Sequence, residues 1–452
     1  MVEIGQEVVE HMPETARPRV LLLMATRTYR ARAFLEAARR LGVPVVVGSE
    51  RRQALAGRVR NTTLALDFRR PDRAVRRIVA FAAEHPFAAV VGVDDDTTVL
   101  AAQAAAALGL PHNPAPAVRA ARDKYRARRL LAAAGLPSPR FERLSVDDDP
   151  ATAAARAPYP CVLKPVALAA SRGVIRADDP SQFVAAFERI RAILVGDGGV
   201  QRHLLVESFL PGPEVALEGL LTNGTLRVLA LFDKPDPLDG PYFEETLYVT
   251  PSQLPPADQE AIAATTARAV AALGLRHGPL HAELRLGVGG PYVLELAPRS
   301  IGGLCSNTLR FGTGVSLEEL ILRQATGSDL GSLERERRAA GVMMLPIPRV
   351  GVLRAVRGQA EAEAVPGVEE IAITIPLGQP LVPLPEGDRY LGFVFARGDS
   401  PTEVERALRA AHGALRFVIG ADSAEADEGE CLRAGPARQQ LPLLPVARPA
   451  SR

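Results

Sequence analysis

Cys161-Val-Leu-Lys164-Pro-Val-Ala-Leu-Ala-Ala-Ser171-Arg-Gly173-Val is an apolar strand that ends in a lysine and runs into a turn of small residues. An ammonium at the end of a buried strand is costly unless it meets an anion. Small side chains beyond it let backbone N–H groups approach phosphate oxygens. Lysine is rare enough in this chain to carry information. Of 54 Lys and Arg residues only Lys124, Lys164 and Lys234 are lysine. Arginine serves wherever plain positive charge suffices, so Lys124, in Asp123-Lys124-x-x-x-Arg128, is a second candidate anion contact.

Downstream, Leu204-Leu-Val-Glu207-Ser-Phe209-Leu210-Pro-Gly212-Pro-Glu214-Val is an apolar strand followed by a turn and two well-spaced acids. A strand-edge backbone there can pair with a flat heterocycle, Phe209 and Leu210 can cover its face, and a carboxylate can accept from ribose hydroxyls. The same stretch also reads as strand–turn–strand with surface glutamates. Further on, His281-Ala-Glu283-Leu-Arg285 is followed by Glu295-Leu-Ala-Pro-Arg299. Two carboxylates on neighbouring strands of a short hairpin suit Mg²⁺, which takes oxygen ligands. Without a cation they would repel across the ladder. Arg299 can hold a carboxylate or phosphoryl group by its planar fork.

Toward the N-terminus, apolar strands near 19–25, 43–49 and 87–93 alternate with helices over 31–41 and 73–84. That alternation predicts a parallel α/β sheet, whose strand ends are where such sheets place ligands. Asp94-Asp95-Asp96 stands at one of those ends, as a ligand site or as a solvated turn and helix cap. A single helix is expected over 116–134, stopped at Gly135-Leu-Pro-Ser-Pro139. Residues 341–420 read as a separate α+β piece, and residues 1–18 as a loose leader.

Composition narrows the classes of partner. With 54 basic against 52 acidic residues, the chain has no nucleic-acid footprint. The longest apolar run near the start is six residues, far short of the roughly 20 needed to span a bilayer, so no membrane partner is expected. Three scattered cysteines fit a reducing, cytoplasmic location.

Taken in order, Asp123-Lys124, Val162-Leu-Lys164-Pro, the Ser171/Gly173 loop, Glu207-x-x-Leu210-x-Gly212-x-Glu214, Glu283 and Glu295-x-x-x-Arg299 resemble the ATP-grasp superfamily over roughly 19–330. Within it the chain resembles bacterial L-amino-acid ligases and other carboxylate–amine ligases. Phe232-Asp-Lys-Pro-Asp-Pro-Leu, Phe243-Glu-Glu245, Arg299-x-x-Gly302-Gly303 and Gly341-Val-Met-Met carry that likeness. The resemblance implies an α/β and α+β multidomain enzyme. A Rossmann-like domain over 1–120 would precede an ATP-grasp fold divided into 121–203 and 204–335. A C-terminal α+β domain over 336–430 and a disordered tail over 431–452 would follow.

The same resemblance implies an ATP-dependent ligase that forms an amide through an acyl phosphate. Lys124, Lys164, Ser171 and Gly173 would hold ATP phosphates, with Glu207, Phe209 and Leu210 at adenine and Glu214 at ribose. Glu283 and Glu295 would bind two Mg²⁺, for which Mn²⁺ can substitute. Glu245 would lie near a substrate amino group, Arg299 would hold the carboxylate or acyl phosphate, and Gly302 and Gly303 would line that pocket. Lys164 and Arg299 are the catalytic candidates. Partners would be small-molecule carboxylates and amines, with a homodimer as the assembly. Ala297 departs from the pattern, standing where many members carry a metal-ligating Asn. The competing readings are an ATP-grasp carboxylase or nucleotide-biosynthesis ligase, a catalytically drifted ATP-binding protein, and a nicotinamide enzyme. The last lacks GxGxxG after the first strand, where Ala25-Thr-Arg-Thr-Tyr29 stands.

Overall fold

A computed structural model describes residues 19–26, 28–51, 62–421 and 431–433. The expected leader over 1–18 and most of the expected tail lie outside the described residues. Cys431–Arg433 does not fit a disordered tail, because it forms a strand paired with Arg416–Gly420.

Residues 20–23 are fully buried, so the first strand, β1 (Arg19–Leu23), sits inside a parallel sheet. Its neighbours are β2 (Val45–Ser49), β3 (Thr63–Ala65) and β4 (Phe87–Gly92), in the order β3-β2-β1-β4. Three helices connect them and follow them: α1 (Ala31–Arg40), α2 (Pro71–Glu84) and α3 (Asp95–Ala107).

The single helix expected over 116–134 is two: α4 (Ala115–Arg122) and α5 (Lys124–Ala133). Asp123 breaks it because its side chain accepts from Arg126 N–H at 3.0 Å and its backbone is extended. A capping aspartate satisfies the free amides of the second helix better than it could serve inside a continuous one. The break turns Lys124 N–H to the Val166 carbonyl, 2.8 Å away, beside the end of the Lys164 strand.

An antiparallel sheet follows in the order β5-β8-β6-β7, from β5 (Phe141–Ser145), β6 (Cys161–Pro165), β7 (Ile175–Ala177) and β8 (His203–Ser208). The short α6 (Pro150–Ala154) precedes β6. Helix α7 (Pro180–Gly196) buries Phe183, Phe187 and Ile190 against Leu163, Leu204 and Val206 of this sheet.

The central sheet begins with β9 (Glu214–Thr222), β10 (Thr225–Lys234), β11 (Leu247–Thr250), β12 (Gly278–Gly287) and β13 (Gly290–Ala297). Helix α8 (Pro256–Leu273) crosses it and ends at Gly274, whose φ of +77° suits glycine. Helix α9 (Leu317–Thr326) comes next, opened by the reciprocal cap of Ser316 and Glu319.

The remaining elements are β14 (Ala339–Leu345), β15 (Gly351–Arg357), α10 (Gln359–Glu363), β16 (Val368–Ile373), β17 (Pro380–Leu381), β18 (Gly392–Gly398), α11 (Pro401–Ala414), β19 (Arg416–Gly420) and β20 (Cys431–Arg433). The sequence reading separates this part, but the structure joins it. Strands β14, β18 and β16 extend the central sheet to eight, in the order β13-β12-β9-β10-β11-β14-β18-β16. The joint is β11, which sequence reasoning missed because residues 235–246 before it carry no periodic pattern. Its Leu247 and Val249 pack in one core with Leu345, Val394 and Leu408.

Candidate active site

The ends of β1 and β4, the turn after β6, and strands β8, β9, β12 and β13 converge on a cavity of about 390 Å³. It gathers all the site residues singled out from the sequence except Gly173. Gly173 serves the wall instead. At φ +71° its Cα packs on the Pro165 ring, 2.8 Å from where a Cβ would stand, and its N–H donates to the Pro385 carbonyl. Ala169, Ala170 and Ser171 line the cavity at that turn, the last two with φ near +55°, a strained setting for non-glycine residues.

Lys164 ends β6 and is buried. Its Nζ lies 2.5 Å from Glu207, which also accepts from Arg128 Nε. Burial lowers the Lys164 pKa, and Glu207 opposes that fall. Burial also pushes the Glu207 carboxyl up, but Arg128 and Lys164 outweigh it and hold the pKa at about 2. Glu207 is 4% exposed and Glu214 8%, so the surface-glutamate reading fails. The sequence reading missed Arg128, whose guanidinium also donates to the Val293 and Leu294 carbonyls and ties α5 to β13. Lys124 Nζ donates to the Leu168 carbonyl at 2.8 Å and pairs with Glu295 at 3.2 Å.

Glu283 and Glu295 face each other across the β12–β13 ladder, as the hairpin spacing predicts. Carboxylate oxygens of Glu214, Glu245 and Glu283 also lie within 4.8 Å of one another. Lys234 sits among them, 2.7 Å from Glu214, in contact with Glu245 and 3.6 Å from Glu283. The second oxygen of Glu214 accepts from Arg285 at 2.8 Å. Burial raises the Glu245 pKa against Lys234, helped by the neighbouring Glu283 and Glu214, and Tyr248 donates its hydroxyl to Glu245 at 2.7 Å. His281 bridges Glu218 and Glu283. Burial opposes its protonation, but Glu218 raises its pKa to about 9. The missed His281 and Arg285 were within reach, because they flank Glu283 at the two-residue period that keeps side chains on one face.

In the same cavity, Arg299 pairs with Asp95 at 2.8 Å, and Gly302 and Gly303 line the wall. A Cβ on Gly303, whose φ is +59°, would stand 2.9 Å from the Phe393 ring, whereas one on Gly302 would meet open space. Phe209 carries the Arg176 guanidinium over its ring at 4.2 Å.

Two lysines, paired acids and an arginine lining one cavity can hold a polyphosphate and a carboxylate. The chain carries matches to ATP-grasp domains. The ATP-grasp domain matches residues 157–308, the ATP-grasp N-terminal domain 35–112, and the L-amino acid ligase C-terminal domain 2 matches 343–420. In particular, the fold is similar to the crystal structure of L-amino acid ligase from Bacillus licheniformis, with a TM-score of 0.73 and 27% identity over 90% of this chain and all of that one. A D-alanine–D-alanine ligase of Aromatoleum aromaticum is 34% identical over 39% of this chain and 55% of its own length. Dapdiamide A synthase of Enterobacter agglomerans is 31% identical over 41% of this chain and 43% of its own. Among the described residues no helix is long and apolar enough to cross a membrane.

Proposed function

We propose that this chain is an ATP-dependent carboxylate–amine ligase, working in the cytoplasm on small molecules with an amino acid among its substrates. The observation that carries this reading is the single cavity that holds Lys124, Lys164, Glu245, Glu283, Glu295 and Arg299 together. A carboxylate oxygen of the first substrate attacks the γ-phosphorus of ATP, and ADP leaves. The amine of the second substrate then attacks the acyl carbon, loses a proton, and releases phosphate as the amide forms.

Lys124 and Lys164 hold the phosphates, and the backbone at 207–210 meets adenine beside Phe209 and Leu210. Glu214 faces the ribose, Glu245 receives an amino group, and Arg299 holds the carboxylate and then the acyl phosphate. Glu283 and Glu295 are hard oxygen donors on facing strands and fit Mg²⁺ or Mn²⁺, two ions in this reading, which would offset phosphate charge when bound. In this reading residues 121–203 and 204–335 are the two halves of the nucleotide cleft, 1–120 abuts the substrate end, and 336–430 backs it.

The test is phosphate release with ATP, Mg²⁺ and amino acids supplied singly and in pairs, with mass spectrometry of the products. Pair-dependent release with a new amide supports the ligase. ATP binding without turnover for any pair, or turnover that requires bicarbonate, overturns it.

A further inference from the structure

The three consecutive aspartates at the end of β4 meet three different arginines. Asp94 faces Arg30 at 3.5 Å, Asp95 faces Arg299 at 2.8 Å, and Asp96 faces Arg122 at 2.7 Å. Asp94 also accepts from Ala25 N–H and from the Thr28 hydroxyl, which fixes the turn after β1. The pair formed by Asp95 differs from the others because Arg299 is the candidate for holding the carboxylate and acyl phosphate.

One oxygen of Asp95 accepts from Arg299 Nε at 2.9 Å and lies 2.8 Å from Nη2 as an ion pair, while Nη1 donates to the Ser300 carbonyl at 3.0 Å. A guanidinium has five N–H donors, so these two hydrogen bonds leave three others. Burial pushes the Asp95 carboxyl up, but Arg299 pulls it below its ordinary value, so the partner stays charged. The backbone beyond Arg299 is held from the same N-terminal sheet. Buried Arg30 donates Nη1 to the Ser300 carbonyl, the Ser300 hydroxyl and the Ile301 carbonyl at 2.8–3.1 Å. Arg299 thus grows out of the central sheet, yet its orientation is set by the first residue of α3, more than two hundred residues earlier.

We propose that Asp95 is the positioning residue of the reaction, fixing the Arg299 guanidinium so that its remaining donors face the carboxylate and the acyl phosphate. This rests on the ligase reading above. A guanidinium free to swing keeps its charge but loses its aim, which costs rate more than binding.

The test compares Asp95→Asn, Asp95→Glu, Arg299→Lys and the double variant Asp95→Asn/Arg299→Lys. Asp95→Asn is expected to lower kcat about 10–100-fold while ATP KM and ADP affinity stay within about twofold, and Asp95→Glu to recover part of the rate. The double variant should be no slower than Arg299→Lys alone, since the two residues act as one unit. Losses that multiply, or an ADP affinity that falls with kcat, overturn the proposal. Nitrogen-15 NMR of the Arg299 Nε–H provides a readout that needs no turnover. Its proton should exchange slowly in the wild type and rapidly in Asp95→Asn, and an unchanged signal overturns the proposal. A wild type inert toward every substrate pair overturns the ligase reading instead, and the NMR comparison still decides whether Asp95 locks the guanidinium.

Discussion

Lys234 Nζ lies 2.7 Å from a carboxylate oxygen of Glu214, and the two residues face each other directly across the β9–β10 ladder. The same ammonium reaches Glu245 and Glu283, so it touches three acids, two of which also meet Arg285 or His281. Removing one partner of such a cluster leaves charge buried and uncompensated. Lys234→Met is expected to lose about 3–5 kcal/mol of unfolding free energy, measured by urea denaturation. A loss under about 1 kcal/mol would mean that the glutamates relax to water and need no counter-ion.

Lys164→Ala and Glu295→Ala should each lower turnover by at least about 100-fold, on the view that both meet the phosphates through charge. The fold should survive in both. Arg128 still pairs with Glu207 after the first change, and Lys124 keeps the Leu168 carbonyl after the second. Circular dichroism checks the fold and phosphate release checks the rate. Near-normal rates for both variants would sink the assignment.

Acid should unfold the protein partly through Glu207. Its folded pKa of about 2 lies below the ordinary 4.5, despite burial, because Arg128 and Lys164 stabilise the carboxylate. Its contribution is therefore complete above the unfolded value and is lost as pH falls through the folded one. The difference is worth roughly 3 kcal/mol. Urea titrations between about pH 5 and pH 2 should show stability falling less steeply in Glu207→Gln than in the wild type. Equal slopes would mean that another carboxylate governs this window.

The turn at the phosphate end is tied to the C-terminal part. Arg189 of α7 forks onto Glu386 at 2.5 and 2.9 Å, and Arg172 Nε donates to the Glu386 carbonyl at 2.8 Å. The ion pair is half-exposed and worth under about 1 kcal/mol, so Glu386→Ala should barely move Tm. Hydrogen exchange over 167–174 should rise nonetheless, with a severalfold higher ATP KM. No change in either would show that the turn is held by its own strands.

What the sequence made legible has a common physical basis. Lys124 and Lys164 stood out at a helix start and a strand end, and Glu283 and Glu295 on neighbouring strands, because each carries a charge that needs a counterpart and local spacing fixes which face it takes. The Glu283–Glu295 pairing followed from a hairpin two loop residues long. The partners of Arg128 and Asp95 stayed hidden because they lie far along the chain, 165 residues away for Arg128 and Val293 and 204 for Asp95 and Arg299. Among 51 arginines nothing local marks Arg128 as buried. The helix break at Asp123 was readable in principle, since aspartate followed three residues later by a free amide is a cap, but the apolar pattern on both sides masked it.

The central sheet has a consequence for anyone exchanging parts between relatives. Strand β11 hydrogen-bonds β10 at one register pair, Asp233 with Val249, and β14 at four, from Leu247–Met343 to Thr250–Ala340. Its affiliation is thus with strands that come ninety residues later, although it precedes α8, β12 and β13 in the chain. A chimera cut before β14 would strand β11 without its main partner and leave its unpaired amides open to other chains. The graft that respects this fold takes residues 247–250 from the same donor as the C-terminal third, as a seam with two separate ends in the gene.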